Sequence, residues 1–379
     1  MRYVSLFSGI EAASAAWGPL GWEPVSFSEI DPFPSAVLAR RFPGVPNLGD
    51  ITKIDWSKHG ECATADLVVG GSPCQSFSIA GARTGLDGAS GLMWEYVRAV
   101  RELRPRWVVW ENVPGALSSS DGRDFGCLLG ALDDLGYGLA WRVLDAQFFG
   151  VAQRRRRLFL VGSLGDQRAS EVLFEPESLR WDHPSSRAKR QALAGQSQGR
   201  TGSAGDGGGR LTLWGEKDRN GGGDVLCATD TGSNSSIAED LAPTLTAHEG
   251  KAASYVTVND TWTNRHANAE LRAYTLQIRA GKEGGGKGAL VQDDMSATLT
   301  VAQTQTLFPG DGTVRRLTPT ECERLQGFED GWTDVPYRGA EHAPDSPRYK
   351  ALGNSMAVPV MRWIGQRIQH VEEVPHDVD

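Results

Sequence analysis

No two cysteines in this 379-residue chain are spaced as C-x-x-C, which excludes a zinc knuckle and a thioredoxin-like redox pair. The five cysteines (Cys62, Cys74, Cys127, Cys227 and Cys322) are odd in number and scattered, so neither a disulfide framework nor a metal site is expected. In a reducing compartment each is a small core residue or a reactive thiol. No apolar run approaches the roughly 20 residues needed to span a bilayer. The opening Met1-Arg2-Tyr3-Val4-Ser5-Leu6-Phe7 reads as a strand rather than a signal peptide, so a cytoplasmic protein with no membrane partner is expected. A full G-x-G-x-x-G is missing as well, which removes the usual argument for a dinucleotide. Positive charge is in short supply: 39 Lys and Arg against 47 Asp and Glu leave a net charge of −8, a weak argument against phosphate binding. That charge is unevenly spread, because acids crowd the tail after Gln369 while residues 154–157 are four consecutive arginines. A local positive field is therefore available on an acidic protein.

Hydrophobic residues at 40% and charged residues at 23% are ordinary for a globular chain. Short apolar runs at 3–7, 25–28, 67–71, 106–110 and 158–162 read as buried strands. Between them, 11–20, 32–41, 92–103 and 125–135 carry helical periodicity. The alternation predicts an α/β fold with a doubly wound, mostly parallel sheet, which binds ligands at the carboxyl ends of its strands. From 164 to 313 glycine clusters appear and periodicity fades, and Asp240-Leu241-Ala242-Pro243-Thr244-Leu245-Thr246 weakly echoes Asp294-Met295-Ser296-Ala297-Thr298-Leu299-Thr300. This stretch reads as a smaller β- and loop-rich domain of two similar units, or as a partly disordered insertion. Regular sequence resumes with the capping box Thr318-Pro319-Thr320-Glu321 and ends in an amphipathic helix over 356–371. The expected division is 1–163, 164–313, a return segment 314–371 and an acidic tail 372–379.

Candidate chemistry sits at strand ends. Gly70-Gly71-Ser72-Pro73-Cys74-Gln75 puts a cysteine on a glycine-flanked loop after the third strand, where a catalytic nucleophile or an inert turn cysteine are both reasonable readings. Glu111, in Trp110-Glu111-Asn112-Val113-Pro114, ends the neighbouring strand; in a semi-buried cleft its pKa would rise and make it a proton donor, while in water it is a plain strand end. Phe7-Ser8-Gly9-Ile10-Glu11 is a tight strand-to-helix turn able to receive a nucleotide-like ligand. Glu29 ends the second strand, where an acid commonly accepts from a ribose, and Asp50 follows as a third acid.

These pieces, in this order, resemble the cytosine-5 DNA methyltransferase family of bacterial and phage type. Ser72-Pro73-Cys74-Gln75 resembles its Pro-Cys nucleophile motif, Glu111-Asn112-Val113 its Glu-Asn-Val motif, and Gln153-Arg154-Arg155-Arg156-Arg157 its Gln-x-Arg-x-Arg motif. The run from Arg315 to Phe328 and the Gly353-Asn354-Ser355 segment are similar to its C-terminal motifs. The resemblance covers about 2–163 and 314–371, and 164–313 corresponds in position to the target-recognition domain. The family's first motif usually has a second glycine where this chain has Glu11, and a side chain there is expected to narrow the approach to the cofactor.

The resemblance implies methyl transfer from S-adenosyl-L-methionine to C5 of a flipped-out cytosine in double-stranded DNA. It makes Cys74 the nucleophile at C6, Glu111 the group acting on N3, and Arg155 a further catalytic residue. It assigns Gln153, Arg155 and Arg157 to DNA, with Arg154 and Arg156 on the opposite face of an extended run. Phe7, Gly9, Ile10, Glu29, Ile30, Asp50, Ile51, Pro73, Leu92, Asn354 and Ser355 would line the cofactor pocket. Cys62, Cys127, Cys227 and Cys322 match no motif and are expected to be structural. A monomer is expected, with a cognate restriction endonuclease as a possible partner. A transfer-RNA cytosine-5 methyltransferase of the same fold, a catalytically silent DNA-binding relative, and a Cys-His hydrolase are the competing readings.

Overall fold

Five apolar segments and one amphipathic one build a six-stranded sheet in a computed structural model that describes residues 1–73, 91–174, 225–230, 235–238, 254–258, 274–280, 287–293, 295–299, 305–308 and 315–374. The chain runs β1 (Arg2–Leu6), α1 (Ala12–Trp17), β2 (Glu23–Ser28), α2 (Pro32–Arg41), β3 (Leu67–Gly70), α3 (Leu92–Leu103), β4 (Trp107–Asn112), α4 (Arg123–Asp134), β5 (Tyr137–Asp145), β6 (Arg156–Leu164) and α5 (Ala169–Leu173). Strand order is β2-β1-β3-β4-β6-β5. Strands β1 to β4 pair in parallel, and β6 is antiparallel to both its neighbours. Every residue of β3 and β4 is buried, the pattern of central strands covered on both faces.

Helix α3 buries Met93, Tyr96, Val97, Val100 and Leu103, and α4 buries Phe125, Leu128 and Leu132, each at the three- and four-residue spacing of one helical face. After the return come α6 (Pro319–Gln326), with both halves of the capping box formed, α7 (Asp345–Asn354) and α8 (Val358–Glu373). Helix α8 seats against α1: Trp17 Nε1 donates to the Met361 carbonyl at 2.7 Å. A Cβ on Gly365 would stand 2.5 Å from the Trp17 ring.

The chain divides into two compact units, 1–175 with 296–303 and 317–379, and 176–295 with 304–316. The second contains a three-stranded sheet of order β8-β7-β9 (Ser235–Ala238, Val225–Asp230, Ser254–Val258). Its four-stranded sheet has order β11-β10-β12-β13 (Lys287–Asp293, Tyr274–Ala280, Gln305–Phe308, Arg315–Arg316). The sequence reading differs at three places. Strand β5 was not expected, because as a half-buried edge strand it lacks a continuous apolar run. Residues 296–299 return to the first unit, where Ser296 donates to the Ala152 carbonyl at 2.7 Å and accepts from Arg154 N at 2.8 Å; the earlier copy of that weak repeat lies outside the described residues. Glu372 is no free acidic tail, since it ends α8 paired with Arg106 at 2.6 Å and Trp107 Nε1 at 2.9 Å. Cys62 and Cys322 are buried and Cys127 is exposed. Among the described residues no helix is long and apolar enough to cross a membrane.

Candidate active site

Three loops at the carboxyl ends of β1, β2 and β4, with the start of the β3 loop, carry Phe7, Gly9, Ile10, Glu29, Ile30, Glu111 and Pro73. The first is unusual in its backbone: Phe7 (φ 53°), Gly9 (φ 55°) and Glu11 (φ 64°) are all left-handed. For Phe7 and Glu11 that conformation costs about 1–2 kcal/mol each, strain of a kind that gathers at ligand sites. A Cβ on Gly9 would meet nothing within 4 Å, so the space beside it is open. Gly9 N donates to Glu29 Oε2 at 2.8 Å and Asp31 N to Glu29 Oε1 at 2.7 Å, which ties the first turn to the end of β2. With Ile30 N as a third backbone donor, the carboxylate still has acceptor capacity for a ligand hydroxyl. Burial raises the pKa of Glu29 against these hydrogen bonds. Next to it Ile30 is 68% exposed, an uncovered apolar side chain at a strand end.

Glu11 does not narrow this turn. Its side chain is 1% exposed and points inward, capping α1 by accepting from Ser14 N. The short helix needed a cap, and the buried hydroxyls of Ser5 and Ser14 offered the carboxylate donors away from the open side.

At the end of β4, Glu111 is almost wholly buried, and Arg157 Nε meets its Oε1 at 3.1 Å. Burial pushes its pKa up, opposed first by Arg157 and then by Arg155. Two neighbours grip the loop leading to Cys74: Asn112 Nδ2 donates to the Ser72 carbonyl at 2.9 Å, and Trp110 Nε1 donates to Ser72 Oγ at 3.1 Å. Cys74 itself lies outside the described residues; Pro73 is the last before them and is exposed. A Cβ on Gly71 would stand 2.9 Å from Glu111 Oε2 and 3.3 Å from the Glu111 carbonyl, so a side chain there has to push the carboxylate aside. Gly71→Ala is accordingly expected to displace that carboxylate and lower kcat by about 10- to 100-fold, the scale of ångström misplacement. Steady-state kinetics beside a thermal melt checks it, with an unchanged kcat refuting the contact's importance.

The arginine run is extended, with 154 and 156 exposed and 155 and 157 turned in. Arg157 reaches Glu111, whereas Arg155 is 2% exposed and gives Nη2 to the carbonyls of Ser355 (2.6 Å) and Gly353 (3.2 Å). Its Nε and Nη1 have no partner among the described residues. Gln153 is fully buried and donates to the Leu325 carbonyl at 3.0 Å. This stretch thus holds the return segment to the sheet as well as facing Glu111.

The profile of the family described as C-5 cytosine-specific DNA methylase matches residues 1–370. The chain belongs to that family. A protein of Escherichia phage P1 named DNA N-6-adenine-methyltransferase is 37% identical over 97% of this chain, which spans 61% of that relative's length. The orphan methyltransferase M.SPRI of Bacillus phage SPR is 28% identical over 98% of both chains. Among solved structures, the Dnmt2 methyltransferase of S. pombe matches with a TM-score of 0.56 at 15% identity, over 98% of this chain and 99% of that one. That last likeness concerns the fold alone.

For a C-5 cytosine-specific DNA methylase the remaining expected residues divide clearly. Ile10 and Ile51 are buried in the core, and Leu92 is half-buried at the start of α3. Asp50 is partly exposed and caps the turn at 51–53, with Thr52 and Lys53 holding its pKa down. Asn354 ends α7 exposed, and Ser355 is buried beside Arg155. The sequence reading missed Trp332, whose indole donates to the Ile10 carbonyl at 2.9 Å and supports the first turn from the return segment. A buried network of Glu323, Thr333 and Arg348 fixes its loop. No periodicity marks such a contact across 322 residues.

Proposed function

We propose that this chain transfers a methyl group from S-adenosyl-L-methionine to C5 of cytosine in double-stranded DNA through a covalent adduct on Cys74. The observation that carries the reading is the buried Glu111–Arg157 pair beside the clamped Ser72 backbone that leads into Pro73-Cys74. C5 of neutral cytosine is a weak nucleophile. Addition of the Cys74 thiolate to C6 sends the ring electrons toward N3 and leaves C5 enamine-like. Glu111, whose hold on a proton burial strengthens against the pull of Arg157, supplies a proton or hydrogen bond at N3 as that charge develops. Arg157 holds the Glu111 carboxyl in place. After transfer, loss of the C5 proton and departure of Cys74 restore the ring.

S-adenosyl-L-methionine supplies an electrophilic methyl group on a sulfonium. The open space beside Gly9, the spare lone pairs of Glu29 and the uncovered Ile30 fit its ribose and adenine, with Phe7, Asp50, Pro73 and Asn354 as further contacts. C6 is out of reach inside a duplex, so the base must be flipped out at a cost of a few kcal/mol. We assign the phosphate and pocket contacts that offset this to Arg155, Arg157 and Gln153, and target recognition to the unit formed by 176–295 and 304–316.

The name of the phage P1 relative raises amino-methylation of adenine as a second reading. Enzymes of that kind carry a Pro-Pro motif with an aromatic, where this chain has Ser72-Pro73-Cys74-Gln75, and part of that relative lies outside the match. Incubating the purified chain with methyl-labelled cofactor and either duplex DNA or transfer RNA, then digesting to nucleosides, separates the readings. Label in 5-methyldeoxycytidine is expected; label in N6-methyladenine, or in RNA alone, would overturn the proposal.

A further inference from the structure

The left-handed position that closes the first turn is held here by a glutamate, and its side chain spans the turn from behind. Ser5 Oγ, on β1, donates to Glu11 Oε2 at 2.8 Å, while Ser14 N and Ser14 Oγ, on α1, each lie 3.1 Å from Oε1. Tyr3 OH in turn lies 2.6 Å from Ser14 Oγ. Strand and helix are thereby strapped together across the segment from Phe7 to Ile10, in which Phe7 and Gly9 are partly exposed and Ile10 is buried. We propose that Glu11 is a positioning residue for the cofactor, whose ionised carboxylate fixes the shape of the Phe7–Gly9–Ile10 turn and so sets its affinity for S-adenosyl ligands. This rests on the reading of that turn as the cofactor site.

The strap has a charge state. An ionised carboxylate only accepts, which suits three converging donors; a protonated one must itself donate, so one serine hydroxyl has to turn round. Burial pushes the Glu11 pKa up to about 7, with Glu29 adding to the rise and the Ser5 and Ser14 hydrogen bonds opposing it. The other titratable or charged groups facing this spot are Tyr3 on β1, Arg362 on α8, and Glu329 after α6. The last two line, with Ser14, a cleft of about 250 Å³. Trp332 holds the Ile10 carbonyl and is neutral throughout. Ligand affinity is therefore expected to rise as pH increases through neutrality, by at most about tenfold per pH unit for one proton.

Calorimetric titration of the intact chain with S-adenosylhomocysteine tests this without turnover. For the wild type, Kd is expected to weaken about three- to tenfold from pH 8 to pH 6. Glu11→Gln should flatten that profile at the weaker value, while keeping the melting temperature close to wild type. Glu11→Gly, which takes the left-handed backbone without strain, should weaken binding at every pH. Wild-type Kd and pH slope in both variants would show Glu11 to be a core residue only. A wild-type chain that binds no S-adenosylhomocysteine at any pH would instead overturn the cofactor reading, and this inference with it.

Discussion

Replacing Cys74 with alanine is expected to abolish 5-methylcytosine formation, with a loss of about 10⁴-fold or more, the scale seen when a covalent nucleophile is removed. The fold has little reason to suffer: the grip on this loop comes from Trp110 and Asn112 on Ser72, two residues before the cysteine. Binding of S-adenosylhomocysteine should thus stay within about threefold of wild type, well under one tenfold step in affinity. A duplex carrying 5-fluorocytosine gives a sharper measurement. Fluorine at C5 cannot leave as a cation, so the reaction should halt after methyl transfer with the base still bonded to sulfur. Denaturing electrophoresis should show a shifted protein–DNA band for wild type and none for Cys74→Ala. A shifted band in the variant would assign the adduct to another residue.

The sheet and its helices were legible because buried parallel strands are written as continuous apolar runs, and β3 and β4 are buried at every position. Glu111 was legible as a carboxylate at a strand tip, and its partner Arg157 only as one of four arginines. What the sequence did not carry was direction. Glu11 reads as an obstruction in a glycine turn until its side chain is seen folded inward onto Ser5 and Ser14. Arg155 and Arg157 look equivalent in Gln-x-Arg-x-Arg, yet one reaches Glu111 and the other the carbonyls of Gly353 and Ser355. Trp332 is invisible for the same reason, since its role depends on a contact made only after the chain returns to its first unit.

Glu111→Gln should lower kcat by about 10²- to 10³-fold, within the range for general acid catalysis. Glutamine keeps a hydrogen-bond donor for N3 but has no proton to give, and it strips Arg157 of its ionic partner. The pH profile separates this chemistry from simple disruption. Because burial raises the Glu111 pKa, the folded enzyme keeps the proton to higher pH than a free carboxyl would. The wild-type rate should therefore fall as pH rises through that elevated value, and the glutamine variant should lack this limb. Stability follows the same sign. The folded chain binds this proton more tightly than the unfolded one, so its contribution is whole below the ordinary carboxylate range and is lost as pH rises through the folded-state value. Single-turnover rates across pH, compared with melts of the same samples, test both statements. A glutamine variant with the wild-type profile would move the proton donor away from Glu111 and leave the Glu111–Arg157 pair as scaffolding for the loop that carries Cys74.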